Sequence, residues 1–143
     1  MKNLFLLIVS ISFMSYGQTY YGYKARTTEV KLQEVTFECN NYEFTFTNKK
    51  ASDYPIRFKH PLGEEVRYDF NGRVSKIGEL DIRYDFNGRL ESIRKGYRQE
   101  IEIRYDTRGR IESISAGYDS KIEYNYDYQG RYTGASGNLI CPF

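Results

Sequence analysis

The stretch Tyr84-Asp85-Phe86-Asn87-Gly88-Arg89-Leu90 carries a pattern, Tyr-Asp-x-x-Gly-Arg-apolar, that also occurs at Tyr68 to Val74, Tyr105 to Ile111 and Tyr126 to Tyr132. Its glycines, Gly72, Gly88, Gly109 and Gly130, stand 16, 21 and 21 residues apart. Self-similarity on that scale marks stacked supersecondary units rather than a single catalytic scaffold. The pattern decides the fold because each of its residue types belongs to a chain reversal.

Upstream of the motif the text alternates, with Leu80, Ile82 and Tyr84, then Ile101, Ile103 and Tyr105, then Ile122, Tyr124 and Tyr126 on one parity and charged or polar residues on the other. Period two predicts strands with one apolar and one wet face. Each strand runs into Asp-x-x-Gly, at Asp69, Asp85, Asp106 and Asp127. The Asp side chain there accepts from the turn's own backbone, and Gly takes the positive φ that follows a type I turn in a bulged hairpin. Downstream, Val74 and Ile77, Leu90 and Ile93, and Ile111 and Ile114 are three apart, so each return strand needs a twist or bulge to face both inward. A second reversal follows at Gly96-Tyr97 and Gly117-Tyr118. The first copy lacks that pair and is five residues shorter, so Ile77-Gly78-Glu79 must turn more tightly. Residues 133–138 read as a terminal cap or a tail.

The N-terminal third alternates differently. Val30 and Leu32 share one parity, Val35, Phe37 and Cys39 the other, and Tyr42, Phe44 and Phe46 follow an Asn40-Asn41 turn. The parity switch at Gln33-Glu34 predicts a bulge or break. Residues 48–61 read as a loop with a short edge strand around Ile56 and Phe58. The expected fold is mainly β, an antiparallel meander of repeated β-hairpins covered by N-terminal strands. Curling of the sheet on itself and cover by a second molecule are the other ways to hide its apolar face.

Residues 1–17 combine Lys2, an apolar run from Leu4 to Met14 and the small residues Ser15 and Gly17 before a cut at Gln18, which is the build of a signal peptide. The run is shorter than the roughly 20 apolar residues of a spanning helix. The expected organisation is a leader at 1–17, an N-terminal β segment at 18–60, hairpin repeats at 61–138 and a tail at 139–143. The chain is then periplasmic or secreted, with no membrane insertion after cleavage. Export gives meaning to Cys39 and Cys141, the one pair available for a disulfide. The alternative is that Cys39 is a small buried strand residue and Cys141 lies in the tail.

The net charge of +2 over 143 residues, with acids and bases interspersed, offers no electrostatic footprint for nucleic acid. Fifteen tyrosines and 17% aromatic residues suit half-buried strand faces.

The sequence Tyr-Asp-x-x-Gly-Arg-apolar-x-x-Ile resembles the YD repeat of Rhs-type proteins, over residues 64–133. Rhs proteins build long arrays of such repeats into a β-sheet shell around a toxin domain, and other YD-repeat proteins are cell-surface adhesion or wall-associated molecules. The resemblance implies β-hairpin repeats here, and about four copies are too few to enclose a cargo.

Candidate chemistry is sparse. His60 is the single histidine and has no Ser or Cys beside it in a nucleophile context. Glu102, Glu112, Glu123 and Asp127 could supply the paired carboxyls of a glycosidase, but alternating acids on strands create such pairs by default. Asp-Phe-Asn-Gly offers oxygen ligands without the further acids of a complete Ca²⁺ loop. Arg73, Arg89, Arg110 and Arg131 either line a rim for an anionic polymer, or each pairs with a turn Asp or covers a tyrosine ring. The sharper candidates are aromatic residues in turns: Phe70, Phe86 and Tyr128 at one end of the hairpins, Tyr97 and Tyr118 at the other. Rings at exposed tips suggest contact with a protein or sugar, unless they stack on one another. The expected function is an exported, non-enzymatic binding module without cofactor or metal. The alternatives are an inhibitor or immunity-like protein for a secreted enzyme or toxin, and a small envelope glycan hydrolase.

Overall fold

A computed structural model describes residues 5–8, 31–117 and 119–143 of the chain. Residues 1–4 and 9–17 of the expected leader, the cut before Gln18, and residues 18–30 of the expected N-terminal β segment, Val30 among them, lie outside the described residues. Among the described residues every regular element is a strand, in two antiparallel sheets.

The smaller sheet holds β1 (Phe5–Ile8), β2 (Leu32–Cys39), β3 (Tyr42–Thr47) and β4 (Arg57–Lys59) in chain order. β1, inside the segment read as a leader, pairs with Leu32 to Val35 of β2. The larger sheet holds β5 (Val66–Tyr68), β6 (Val74–Ile77), β7 (Leu80–Tyr84), β8 (Leu90–Lys95), β9 (Gln99–Tyr105), β10 (Ile111–Ser115), β11 (Lys121–Tyr126) and β12 (Tyr132–Asn138), each beside its sequence neighbour. It is a pure meander, and every connection is a local hairpin.

The same bulge recurs in all four motif hairpins. The register shifts between Arg67 and Tyr68, between Arg83 and Tyr84, between Ile111 and Ser113, and between Asn125 and Tyr126, leaving Ser75, Glu91, Glu112 and Thr133 without a cross-strand partner. One extra residue rephases the return strand, so Val74 and Ile77, Leu90 and Ile93, and Ile111 and Ile114 all point inward and are buried. The three-residue spacing in the sequence has its cause here.

One apolar core fills the space between the sheets. Val35, Phe37, Cys39, Phe44, Phe46 and Ile56 from the smaller sheet and its loop join the inward aliphatic residues of β6 to β10 and Tyr124 of β11. The N-terminal strands thus cover the meander, as its one-sided pattern requires. Cys39 and Cys141 are bonded, with Cα atoms 5.1 Å apart, which ties the C-terminal tail to the end of β2. The Asn40 side chain donates to the Phe143 carbonyl, Gln99 to that of Pro142, and Ser120 exchanges bonds with Ile140.

Two sequence expectations change. β2 runs without a break through Gln33-Glu34, because Gln33 itself takes the inward parity and is buried. Residues 133–138 are not a loose tail but the terminal strand of the larger sheet. They belong to β12, which pairs along β11 from Lys121 to Tyr126.

Candidate interaction surface

Each motif builds the same turn. In the first copy the Asp69 carbonyl accepts from the Gly72 amide and the Arg73 carbonyl from the Asp69 amide, both within 2.9 Å. Asp69 Oδ1 accepts from the amides of Asn71 and Arg73, and Oδ2 from Arg73 Nε, each at 2.9 Å. The set repeats on Asp85, Asp106 and Asp127. Partial burial works against ionisation of Asp69, but the backbone and side-chain donors of Arg73 outweigh it and hold the carboxyl below its ordinary range. For Asp127 the backbone bond from Arg131 leads in the same direction. Both carboxylate oxygens thus serve the turn's own donors, which is the intrinsic-turn role of Asp-Phe-Asn-Gly.

The arginines then join one hairpin to the next. Arg73, Arg89 and Arg110 lie over the rings of Tyr84, Tyr105 and Tyr126, at 4.4, 4.2 and 4.2 Å from the ring centroids. The covered tyrosines donate back to the strand behind the arginine, Tyr84 to the Val74 carbonyl, Tyr105 to that of Leu90 and Tyr126 to that of Ile111, at 2.6–2.7 Å. The Asp-Arg pair, the stacked ring and the hydroxyl bond form a clasp between successive repeats. Of the two sequence readings for these arginines, the clasp is the one the geometry shows.

Because every Asp-x-x-Gly turn reverses the chain at the same end of the sheet, the residue after each Asp lines one rim. Phe70, Phe86 and Tyr128 sit there, 96%, 96% and 90% exposed. Thr107 holds the equivalent place in the third turn and is exposed as well. Equivalent atoms of successive hairpins are about 10 Å apart, two strand spacings. Rings so fully exposed do not pack on one another as a local clasp. Tyr97, 97% exposed, is at the opposite end on the β8–β9 turn. Tyr118 lies outside the described residues.

The remaining candidates are spread out. Glu102 pairs with Arg104, Glu123 with Lys121 and Asp127 with Arg131. Glu112 is the exposed bulge residue of β10. These acids belong to the outer face and the rim rather than to one concave site. His60 packs its ring at 5.4 Å from that of Phe58. Among the described residues no group of His, Cys, Asp and Glu has the arrangement of a metal site.

Two features escaped the sequence reading. The first is a buried polar bridge between the sheets: Gln33 Nε2 donates to the Tyr126 hydroxyl at 2.8 Å and Gln33 Oε1 accepts from the Ile111 amide at 3.0 Å. Asn48 completes it by accepting from the Gln33 amide and donating to the carbonyls of Lys31 and Gly109. A glutamine on the core parity of a strand was the available signal. The second is an open pocket of about 270 Å³ beside the disulfide, lined by Tyr42, Glu64, Gly78, Glu79, Lys95 and Phe143 among others. Glu64 accepts from the Tyr42 hydroxyl at 2.8 and 2.9 Å, and burial followed by that carboxylate pushes the phenol up to about 12. Lys95 faces Glu79 at 3.8 Å. The two acids of this pocket are therefore already partnered, and only the fold brings the β2–β3 turn, the β6–β7 turn, Lys95 and the C-terminal tail together.

No protein-family model, no curated protein and no solved structure matches the chain. The fold and its surface therefore define the molecule: a two-sheet, all-β hairpin-repeat protein with an aromatic rim.

Proposed function

We propose that the protein is an exported, non-enzymatic binding module of the cell envelope or extracellular space, and that Phe70, Phe86 and Tyr128 form its contact surface. The observation that carries this reading is that all three rings are at least 90% exposed at a position where the turn needs no aromatic residue. Thr107 occupies the same place within the same hydrogen-bonded turn. Leaving a large ring in water at such a site has no stabilising return, whereas interfaces are enriched in Tyr and Phe. The partner is a protein or a glycan, whose flat or ridged faces such rings contact. The Cys39–Cys141 bond is compatible with an oxidising compartment, and the resemblance to YD repeats is in keeping with a surface role.

The test is capture from envelope and secreted extract of the source cell by the oxidised chain, alongside the Phe70→Ser, Phe86→Ser, Tyr128→Ser triple variant. A component retained in near-equal amount by the parent chain and lost by the folded variant supports the rim. Equal retention by both overturns it.

A further inference from the structure

The clasp that joins hairpin to hairpin is left half-made at each end of the larger sheet. Arg73, Arg89 and Arg110 each cover a tyrosine, and their side chains are 20%, 19% and 19% exposed. Arg131, held by Asp127 in the same geometry at 2.8 Å, stands at the start of the edge strand β12, beyond which no strand pairs among the described residues, and its side chain is 65% exposed. At the other end Tyr68, the motif tyrosine of the first repeat, is covered by no motif arginine among the described residues and is 61% exposed. One edge thus presents the arginine half of the clasp and the opposite edge its tyrosine half.

We infer that the protein associates head to tail with further copies of itself, Arg131 of one molecule covering Tyr68 of the next. The polarity fits. The eight strands alternate in direction from β5 to β12, so β5 and β12 are antiparallel, and a second copy's β5 laid beside β12 continues the alternation without a change of hand or register logic. Asp127 presets the guanidinium plane, as Asp69, Asp85 and Asp106 do for the three internal clasps. The interface is heterologous, since the two edges differ, so it adds copies head to tail and does not end at a two-fold dimer. The association is weak and concentration-dependent, because β5 is only three residues long and Gly134 and Gly137 twist β12 at positive φ. A row of copies also extends the aromatic rim, although this inference stands independently of the rim's having a partner.

Sedimentation equilibrium of the oxidised chain over a wide concentration range tests it. The average mass of the parent chain rises with concentration beyond that of a dimer. Tyr68→Ala and Arg131→Ala each stay monomeric alone, with an association constant lowered at least about tenfold, the effect of a lost cation–π contact. Both side chains are largely exposed, so far-UV circular dichroism of each variant matches that of the parent. An equimolar mixture of the two variants restores one intact interface per pair and stops at a dimer. A parent chain that stays monomeric at every concentration overturns the inference, as does a mixture that remains monomeric, or single variants that associate as the parent does.

Discussion

The guanidinium of Arg89 lies 4.2 Å from the centre of the Tyr105 ring, while its Nε is held 2.9 Å from Asp85. One arginine therefore closes its own turn and grips the next hairpin. A turn signal in the sequence thus doubles as the inter-repeat contact, so local and long-range preferences agree along the meander.

Removing a clasped arginine should cost more than removing the terminal one. Arg110→Ala loses the Asp106 pair and uncovers Tyr126, and should destabilise by about 1–2 kcal/mol. Arg131→Ala loses only the largely exposed Asp127 pair and should cost the monomer only a small fraction of that. Urea midpoints for the two variants at equal m make the comparison.

Gly72 has φ +81°, and a Cβ there would meet nothing within 4 Å, so the cost of a side chain is purely conformational. Gly72→Ala should lose about 1–2 kcal/mol, and Gly72→Asn clearly less, because Asn tolerates the left-handed region. Thermal melts order the three chains, and equal melting of Ala and Asn variants would contradict this account of the turn.

Gln33→Leu keeps the bulk but strips the Ile111 amide and the Tyr126 hydroxyl of a buried partner. A loss of about 1–3 kcal/mol is expected despite the more apolar residue. Denaturant unfolding should show that loss, and a stabilised variant would mean that water replaces the amide.

Reduction of Cys39–Cys141 opens a loop with a sequence separation of 102 residues and should cost up to about 4–5 kcal/mol in the loop-entropy account. The tail should loosen first, so amide exchange at Ile140, whose donor bond goes to Ser120, should speed up before that of the β8 and β9 core.

Burial pushes the Tyr126 phenol up to about 12, with the Gln33 amide partly opposing, and burial raises Tyr84 and Tyr105 as well. The folded state holds these protons more tightly than the unfolded chain. Stability is therefore intact below about pH 10, the unfolded value, and falls as pH rises toward 12. Asp69 and Asp127 act oppositely: their lowered values give stability that is present above the ordinary carboxylate range and is lost as pH falls below it. Denaturant midpoints across both windows, with tyrosinate absorbance at the alkaline end, check the two signs.

The sequence by itself determined what depends on near neighbours. Asp, Gly and Arg at fixed offsets dictate the turn, alternation dictates the strands, and the three-residue spacing of Leu90 and Ile93 dictates the bulge, because each involves residues only a few positions apart. It also required some cover for a one-sided sheet. Only the tertiary structure decided what that cover does in detail. Gln33 reads as an interruption in β2, yet it is a bridge, since its partners Ile111 and Tyr126 are remote in sequence and arrive only when the sheets meet. Residues 133–138, rich in Gly and Ser, read as a terminal cap or a tail and form the edge strand β12, because the ladder of β11 supplies the order that their own propensities lack. The repeat already put Phe70, Phe86 and Tyr128 at one end of the hairpins, and the unbroken meander then decided that Arg131 and Tyr68 stand at its opposite edges.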